Sequence, residues 1–544
     1  MAEGGKASSD SASVPNPSQA SRDLAALPDP SRFTRRAVLR AGGAGAAGLT
    51  LGGGLPRPAA AQDSDSGGSK PPNVLLIVVD GMRGDFVSAY DDPHELADTP
   101  SIDKLCKEGL RFEMAIPESM PAMPARRAIL TGMKSFPCRD WKPTKGFASF
   151  PGWTRVLAHQ PVLTEILEEG GVTPLYITDN PLLEDDRFEG VHREPDGSAP
   201  KVSQGKRWVA PVVPDGAEEG ERSLTRVVRG GIEALGELKS KQPFFLAVDA
   251  FDRSEATEPT PVYGTAGALA DIEREADRSE DSESVSYGET EVVKSSAATR
   301  ERVREAYRDE MKAVDKEIGK LLDAVEKQGL TNNTVIYLVS AGTTALGEHG
   351  VFGTAAAAGH EEVYKVTYVI RDPDGRRAGD AVRYYASTHD VAPTVLAFAG
   401  LTIPGKMEGE DLTAFFDSDD PAPRHHFTTM VGGQVVVGDR RYVLVSDVEG
   451  LDKKLYDTDP PEHEDELGDE DDFSPRTEDE DVSREVAVQV QRMWQAALND
   501  AGGTLPKFGP DGPIRPREEA DENDDEDVDE GRLDRDDDLN FSGR

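Results

Sequence analysis

The sequence predicts an α/β protein in which a large, mostly parallel sheet is sandwiched by helices, followed by a small C-terminal subdomain with an antiparallel sheet and a helix. Between Asn73 and about Leu412, apolar runs of strand length alternate with amphipathic runs of helical length. Beyond about Phe416 the runs are short and alternate between apolar and polar residues, as in antiparallel strands. A chain of 544 residues with 37% hydrophobic composition can bury both cores.

The first 61 residues predict an export signal rather than part of the fold. The opening residues are rich in Ser, Ala, Pro and Asp and are expected to be disordered. Arg35 and Arg36 then precede a weakly apolar Gly/Ala stretch and a small-residue segment ending at Ala61, which is typical of twin-arginine export. The alternative is a chance arginine pair before a flexible linker. We expect 62–72 to be a linker, the protein to be extracellular or in the cell envelope, and no segment to span a membrane.

The core is expected over 73–415, and its strands are predicted as buried apolar runs at 73–79, 173–178, 243–249, 335–340 and 366–370. Asp80 directly follows the first of these, and open α/β sheets place ligands at the carboxyl ends of their strands. Apolar residues at helical spacing and a closing Gly329 predict a long helix from Arg302. The acidic stretch 266–297 is predicted to be a surface insertion or lid.

The C-terminal subdomain is expected over 416–505. Alternating residues predict strands at 434–438 and 441–445, and a helix is predicted over 482–499. The charged run that follows predicts a disordered acidic tail over 506–544.

The balance of 61 basic against 102 acidic residues gives a formal net charge of −41. So acidic a chain excludes nucleic acid as a partner, because the phosphate backbone would be repelled. It is typical of halophilic proteins, since concentrated salt shortens the Debye length to about 3 Å or less and screens self-repulsion. The alternative is that the insertion and tail inflate the charge of an ordinary core. Two cysteines are too few for a disulfide framework.

One segment carries a family resemblance. The run from Pro121 to Gly132 reads Pro-Ala-Met-Pro-Ala-Arg-Arg-Ala-Ile-Leu-Thr-Gly. It resembles the signature of the sulfatase family, in the alkaline phosphatase superfamily, where Cys or Ser is followed by x-Pro-Ser-Arg and a hydrophobic run ending in Leu-Thr-Gly. The resemblance spans about 73–460 and includes further family-like segments in the family's order, which are 99–112, 316–323, 347–350, 389–394 and 455–457. It implies the sulfatase fold and, as the family reaction, hydrolysis of sulfuric esters.

The resemblance also implies a site that this chain has largely lost. The family oxidises its signature Cys or Ser to formylglycine, but Ala122 occupies that position. The family holds a divalent cation, usually Ca²⁺, with two acidic residues after the first strand and with Asp followed by His or Asn after a later strand. Of these ligands only Asp80 remains, and the positions that have lost theirs are Gly81, Ala341 and Gly342. Two further family positions, an active-site His and a Lys, are replaced within 252–254 and by Thr354. No cofactor is therefore predicted.

Arg126 stands at the signature's arginine position and is the one remaining candidate for a catalytic role. With Arg127 and Lys134 it is predicted to bind a sulfate, phosphate or carboxylate near a helix N-terminus. The alternative is structural: without a cation, the guanidinium would pair with Asp80, because a lone buried carboxylate is costly. Ser119 as a substitute nucleophile and a new metal site among the histidines at 349, 360 and 389 are weaker alternatives.

The predicted function is that of an exported sulfatase-family protein that is a pseudoenzyme and binds a small anionic or sulfated ligand. The alternative is an active hydrolase of sulfuric or phosphoric esters, which would need Ca²⁺ at an atypical site. A third hypothesis is an interaction protein that uses the acidic insertion and tail.

Overall fold

The computed structural model describes residues 70–90, 97–120, 123–141, 156, 160–178, 209–211, 223–250, 297–348, 352–353, 359–417, 422–458, 476–478, 483–509 and 512–514. The expected export signal over 1–61, nearly all of the linker and of the acidic insertion, and the tail beyond 514 lie outside these residues. No helix among the described residues combines the length and apolar character needed to cross a membrane.

Among the described residues, eight strands form the large sheet, and they are β1 (Asn73–Val79), β2 (Leu110–Phe112), β4 (Thr173–Thr178), β5 (Val209–Pro211), β6 (Phe244–Ala250), β7 (Thr334–Ser340), β10 (Tyr368–Arg371) and β11 (Ala381–Val382). Their order across the sheet is β11, β2, β10, β7, β1, β6, β4, β5. Only β10 runs antiparallel to its neighbours in this sheet, so the predicted mostly parallel sheet is confirmed. All five predicted strands are present, within two residues of the expected bounds.

Helices cover both faces of this sheet, and in chain order they are α1 (Pro100–Glu108), α2 (Met123–Thr131), α3 (Leu163–Glu169), α4 (Ser223–Leu238), α5 (Ala297–Lys327) and α6 (Val391–Phe398). Alternate residues of β1 point to opposite faces. Leu75 and Ile77 pack with α1, α4 and α5, whereas Val74 and Leu76 pack with α2, α3 and α6. Each such buried side chain contributes roughly 1.5–3 kcal/mol through the hydrophobic effect.

A second sheet joins the C-terminal part of the chain to the core, and its strands are β3 (Ser119–Met120), β12 (Phe427–Val431), β13 (Gln434–Gly438), β14 (Tyr442–Asp447) and β15 (Lys454–Asp457). The four C-terminal strands are antiparallel, but β3 pairs in parallel with β12. The boundary expected at 415/416 therefore does not separate the sheets, because β3 comes from the core segment. A short helix, α7 (Ala414–Asp417), lies at that boundary.

The last described helix, α8 (Arg484–Asp500), packs on the second sheet through Met493 and Ala497. It begins two residues later than predicted because Ser483 caps it, its side-chain oxygen accepting from the amide of Val486.

Two further hairpins complete the described strands, with β8 (Ala345–Leu346) paired to β9 (Phe352–Gly353) and β16 (Lys507–Gly509) paired to β17 (Gly512–Ile514). The second hairpin falls within 506–544, where the sequence predicts a disordered tail, and it places short strands in the first residues of that segment. Its aromatic residue Phe508 packs edge-on against Trp141, with 6.0 Å between ring centroids. This aromatic contact stabilises the hairpin against the core.

Candidate functional site

The candidate site lies at the carboxyl ends of three adjacent parallel strands. Asp80 directly follows β1, Asp249 is the next-to-last residue of β6, and Tyr176 and Thr178 are on β4. The strand register pairs Asp249 with Val78 on one side and with Thr178 on the other. Parallel strands thus bring residues from three distant parts of the chain to one edge of the sheet, where ligand sites of open α/β folds occur.

Arg126 on helix α2 pairs with these two carboxylates, and no other basic side chain among the described residues does so. Pro124 is tolerated there because the first turn of a helix needs no backbone donor at that position. The helix ends at Thr131, where Gly132 takes the left-handed conformation with φ +63°. Ala125 and Ile129 pack into the core cluster of that face, and this packing fixes the orientation of the helix.

The guanidinium of Arg126 lies between two carboxylates and is fully buried, with 0% of its surface exposed. Its Nη1 donates to Oδ2 of Asp80 at 3.0 Å. Its Nε and Nη2 donate to the two carboxylate oxygens of Asp249 at 2.9 and 2.7 Å, in the bidentate arrangement that arginine favours. The hydroxyls of Tyr176 and Thr178 donate to Asp249 Oδ2 at 2.8 and 3.2 Å. The predicted pairing of Asp80 with Arg126 is therefore confirmed.

Burial controls the protonation behaviour of this cluster. Burial raises the pKa of the Asp80 carboxyl, against the opposing charge of Arg126, and the like charge of Asp249 raises it further. Burial alone would lower the pKa of Arg126, but the charges of Asp249 and Asp80 outweigh it and hold that pKa well above its usual range. One guanidinium cannot neutralise two buried carboxylates. Asp80 is consequently the surplus acid of the cluster.

Backbone hydrogen bonds join the two loops in which the resemblance places the other metal ligands. The Gly81 amide donates to the Gly342 carbonyl at 3.0 Å, and the Ala341 amide donates to the Val79 carbonyl at 3.1 Å. Gly81 has φ +72°, a conformation that a side chain would strain. Ala341 is fully buried. None of these positions presents a side-chain donor to the space beside Asp80.

The other predicted binding residues do not converge on Arg126. Arg127 is buried and donates from Nη1 to the Lys134 carbonyl at 3.1 Å and to the Ser135 hydroxyl at 3.3 Å. Burial lowers the pKa of Arg127, against the opposing charge of Glu118. Lys134 is half-buried, and its Nζ lies 3.8 Å from Asp500 Oδ1 on α8. These basic groups have separate partners, so they do not form one cradle for an anion.

Ser119, the weaker candidate for a nucleophile, and His389, a weaker candidate for a metal ligand, both lie within hydrogen-bond distance of serine hydroxyls. The Ser119 hydroxyl is buried against that of Ser135 at 3.0 Å. The Nδ1 of His389 lies 2.9 Å from the Ser387 hydroxyl. The positions Ala122, His349 and Thr354, with 252–254, lie outside the described residues. Within the described part of the chain, no group of three or more His, Cys, Asp or Glu side chains has the arrangement of a metal site.

The family model for sulfatases matches residues 72–401, more than half of the chain. The chain belongs to the sulfatase family. The arylsulfatase of Clostridium perfringens is 24% identical over 388 residues, which are 63% of this chain and 77% of that enzyme. A multifunctional alkaline phosphatase superfamily protein from Trinickia caryophylli is 24% identical over 411 residues, 64% of this chain and 78% of its own.

A solved structure confirms the fold of this sulfatase-family chain. The phosphonate monoester hydrolase from Silicibacter pomeroyi superposes with a TM-score of 0.56 at 16% identity, covering 82% of this chain and 99% of that one. At this identity the similarity shows the α/β architecture of the superfamily and nothing about the substrate.

Sequence reasoning missed three members of the cluster in this sulfatase-family protein, namely Asp249, Tyr176 and Thr178. A signal for Asp249 was available, because it is the single charged residue in the strand Phe-Phe-Leu-Ala-Val-Asp-Ala. A carboxylate in a strand buried on both faces needs a partner. Tyr176 and Thr178 carried no such signal, since both residue types are common in strands.

Proposed function

We propose that this chain is a noncatalytic member of the sulfatase family, a pseudoenzyme for sulfuric ester hydrolysis. The observation that carries the proposal is the Arg126 guanidinium between Asp80 and Asp249. The guanidinium is a cation that the protein itself supplies, and it donates a hydrogen bond to Asp80, the carboxylate that the resemblance assigns to the metal. The cluster therefore resembles a structural ion-pair network more than a binding cage for a metal.

The residues of this site do not fit Ca²⁺. The ion takes about 6–8 oxygen ligands at 2.3–2.6 Å. The described residues offer two carboxylates here, and both already accept hydrogen bonds from Arg126. A divalent ion close to a buried guanidinium would also be repelled by several kcal/mol at the effective dielectric of a protein. We derive no catalytic step through a metal.

The residue at the nucleophile position supports the same proposal. Ala122 has a methyl side chain that cannot attack sulfur and cannot be oxidised to an aldehyde. Every ~1.36 kcal/mol of lost transition-state stabilisation slows a reaction tenfold. A chain without the nucleophile and without the metal's charge stabilisation should therefore have no measurable turnover.

We further propose that the protein is exported by the twin-arginine route and binds a small sulfated or phosphorylated molecule. The Arg35-Arg36 pair supports the first point, and replacing both by lysine should retain the protein in the cytoplasm. The second point draws on the sequence relative that is named as an arylsulfatase. That name denotes an enzyme that acts on sulfate esters, and a phosphate ester presents a tetrahedral oxyanion of similar shape and charge.

An active hydrolase with Ca²⁺ at an atypical site is the second candidate, and membership of a hydrolase family favours it. The test is to dialyse the full chain against calcium, measure bound metal by mass spectrometry, and assay 4-nitrophenyl sulfate and phosphate with the Clostridium perfringens arylsulfatase as a positive control. We expect substoichiometric metal and background turnover. Stoichiometric metal together with chelator-sensitive hydrolysis would refute the pseudoenzyme proposal.

A further inference from the structure

A cavity of about 630 Å³ lies where the segment before α6 meets the second sheet and α8. Five of its lining residues are arginines, and they are Arg383, Arg424, Arg440, Arg441 and Arg492. The protein as a whole has a formal net charge of −41. In so acidic a chain, an average patch of surface carries negative charge. The five arginines therefore distinguish the electrostatic potential of this cavity from that of the protein as a whole.

Three of these arginines already have carboxylate partners. Arg424 makes two hydrogen bonds to Asp390, at 2.8 and 2.6 Å, and Arg441 makes two to Asp457, at 3.1 and 3.0 Å. Arg492 pairs with a third carboxylate at 2.5 Å, that of Asp439, which itself lines the cavity. These pairs hold the arginine side chains in place and neutralise three of the five charges.

The two remaining arginines supply the uncompensated charge. Arg383 and Arg440 are exposed, and within the described part of the chain neither has an ion pair or a side-chain hydrogen bond. The cavity therefore carries an excess of about two positive charges before any contribution from His425, which also lines it. Such an excess in a concave site attracts anions.

A buried hydroxyl points to a ligand independently of the charge. Tyr385 lines the cavity and is only 5% exposed, yet its hydroxyl oxygen has no hydrogen-bond partner among the described residues. Leaving a buried hydroxyl unpaired costs about 1–3 kcal/mol, so a partner is expected. Burial raises the pKa of Tyr385, which keeps the hydroxyl protonated and able to donate, and the charged groups that act on it are Asp439, Arg440 and Arg383.

Aromatic rings give the cavity surfaces for the body of a ligand. The guanidinium of Arg424 lies 5.4 Å from the ring centre of Tyr384, and that of Arg441 lies 5.0 Å from the ring centre of Tyr442. These stacked pairs keep the planar groups oriented. The volume is in the range of small-molecule sites, which are typically about 300–1,000 Å³.

We propose that this cavity binds a small organic molecule carrying a sulfate or phosphate ester group. Arg383, Arg440 and the Tyr385 hydroxyl hold the tetrahedral oxyanion, and the tyrosine rings contact its organic body. No lining residue belongs to the Arg126 cluster. The site deepens the ligand-binding part of the proposed function and rests on it for the ligand class. It does not depend on whether the chain is catalytic.

The test is isothermal titration calorimetry of the full chain at constant ionic strength, with glucose 6-sulfate, glucose 6-phosphate and uncharged glucose as probes. We expect saturable binding of at least one ester and none of glucose. Comparing the two esters identifies which oxyanion the site prefers. Replacing Arg383→Gln and Arg440→Gln together should weaken binding by at least about tenfold, because hydrogen bonds to charged groups are lost. Both side chains are exposed, so the fold should be retained.

Two matched variants separate recognition from structure and from net charge. Tyr385→Phe should weaken binding by roughly three- to tenfold without lowering the melting temperature, because the hydroxyl has no partner among the described residues and the ring still packs on Phe427. Arg484→Gln removes one charge from α8 outside the cavity and should leave binding unchanged. Absence of binding by both esters, or equal losses in Arg484→Gln and the cavity variants, would overturn the proposal. Neither outcome would affect the noncatalytic proposal, which is tested by metal content and turnover.

Discussion

Removing the Arg126 guanidinium is expected to destabilise the fold strongly. The change Arg126→Met keeps an unbranched side chain but removes the guanidinium, which leaves Asp249 and Asp80 buried, with 0% and 4% of their side-chain surfaces exposed, and without a counter-charge. At an effective dielectric near 20, each close pair contributes roughly 4 kcal/mol of attraction, part of which offsets desolvation. Breaking a buried ion pair by deleting one partner typically costs about 3–5 kcal/mol, and we expect a loss of that size at neutral pH.

The measurement is equilibrium urea unfolding of wild type and variant, with the free energy of unfolding compared at several pH values. The loss should shrink as the pH falls, because the unpaired carboxylates become protonated and burying them then costs less. A matched variant that also carries Asp80→Asn and Asp249→Asn should recover much of the stability, since no buried charge then remains.

A loss smaller than about 1 kcal/mol for Arg126→Met would show that the guanidinium does not neutralise these carboxylates, contrary to the observed hydrogen bonds. Failure of the triple variant to recover stability would show that the arginine acts through packing rather than through charge. Either result would also remove the main support for the noncatalytic proposal.

Three further predictions follow from individual side chains. Burial raises the pKa of Asp80 in the folded state, so the charge of this carboxylate lowers stability as the pH rises through that pKa. Asp80→Asn should therefore leave the free energy of unfolding unchanged or raise it by about 1 kcal/mol at pH 8, as measured by urea unfolding. If Asp80 were a metal ligand, the same change would lower stability. Burial lowers the pKa of His389 to about 3, against the opposing charge of Asp390. The fold should therefore lose stability as the pH falls from about 6.5 toward 3. His389→Asn should flatten the pH dependence of the urea midpoint across that window. Ala122→Cys, coexpressed with a formylglycine-generating enzyme, should still give background turnover of 4-nitrophenyl sulfate, because of the cation ligands only Asp80 remains. Turnover that appears with this single change would contradict the proposed loss of the metal site.

The strands of the core could be predicted from the sequence because their cause is local. Runs such as Asn73–Val79 and Thr334–Ser340 are apolar except for polar residues at their ends, and they are buried along their whole length, as is typical of strands covered on both faces. The helix over Ala297–Lys327 was also readable, since its apolar residues repeat at helical spacing. The pairing of β3 with the C-terminal sheet was not readable, because Ser119–Met120 is too short to carry a periodic signal.

The candidate site was only partly predictable. The Asp80–Arg126 pair followed from the resemblance and from the cost of burying a lone carboxylate. Asp249 lies 123 residues from Arg126 in the chain, and its role arises only when β6 is placed beside β1. The arginine cavity is a stronger case, since it combines segments from 383 to 492 that share no motif.

The sequence by itself determined the family, the order of strands and helices, and the absence of a nucleophilic side chain at Ala122, because these depend on residue identity and local pattern. Only the tertiary structure decided which charges meet. It placed the second carboxylate on Arg126, and it brought Arg383 and Arg440, which have no ion-pair partner in the described part of the chain, into one cavity with Tyr385. The physical reason is that electrostatic energy depends on distance and burial, and the fold sets both by bringing together groups that are remote in sequence.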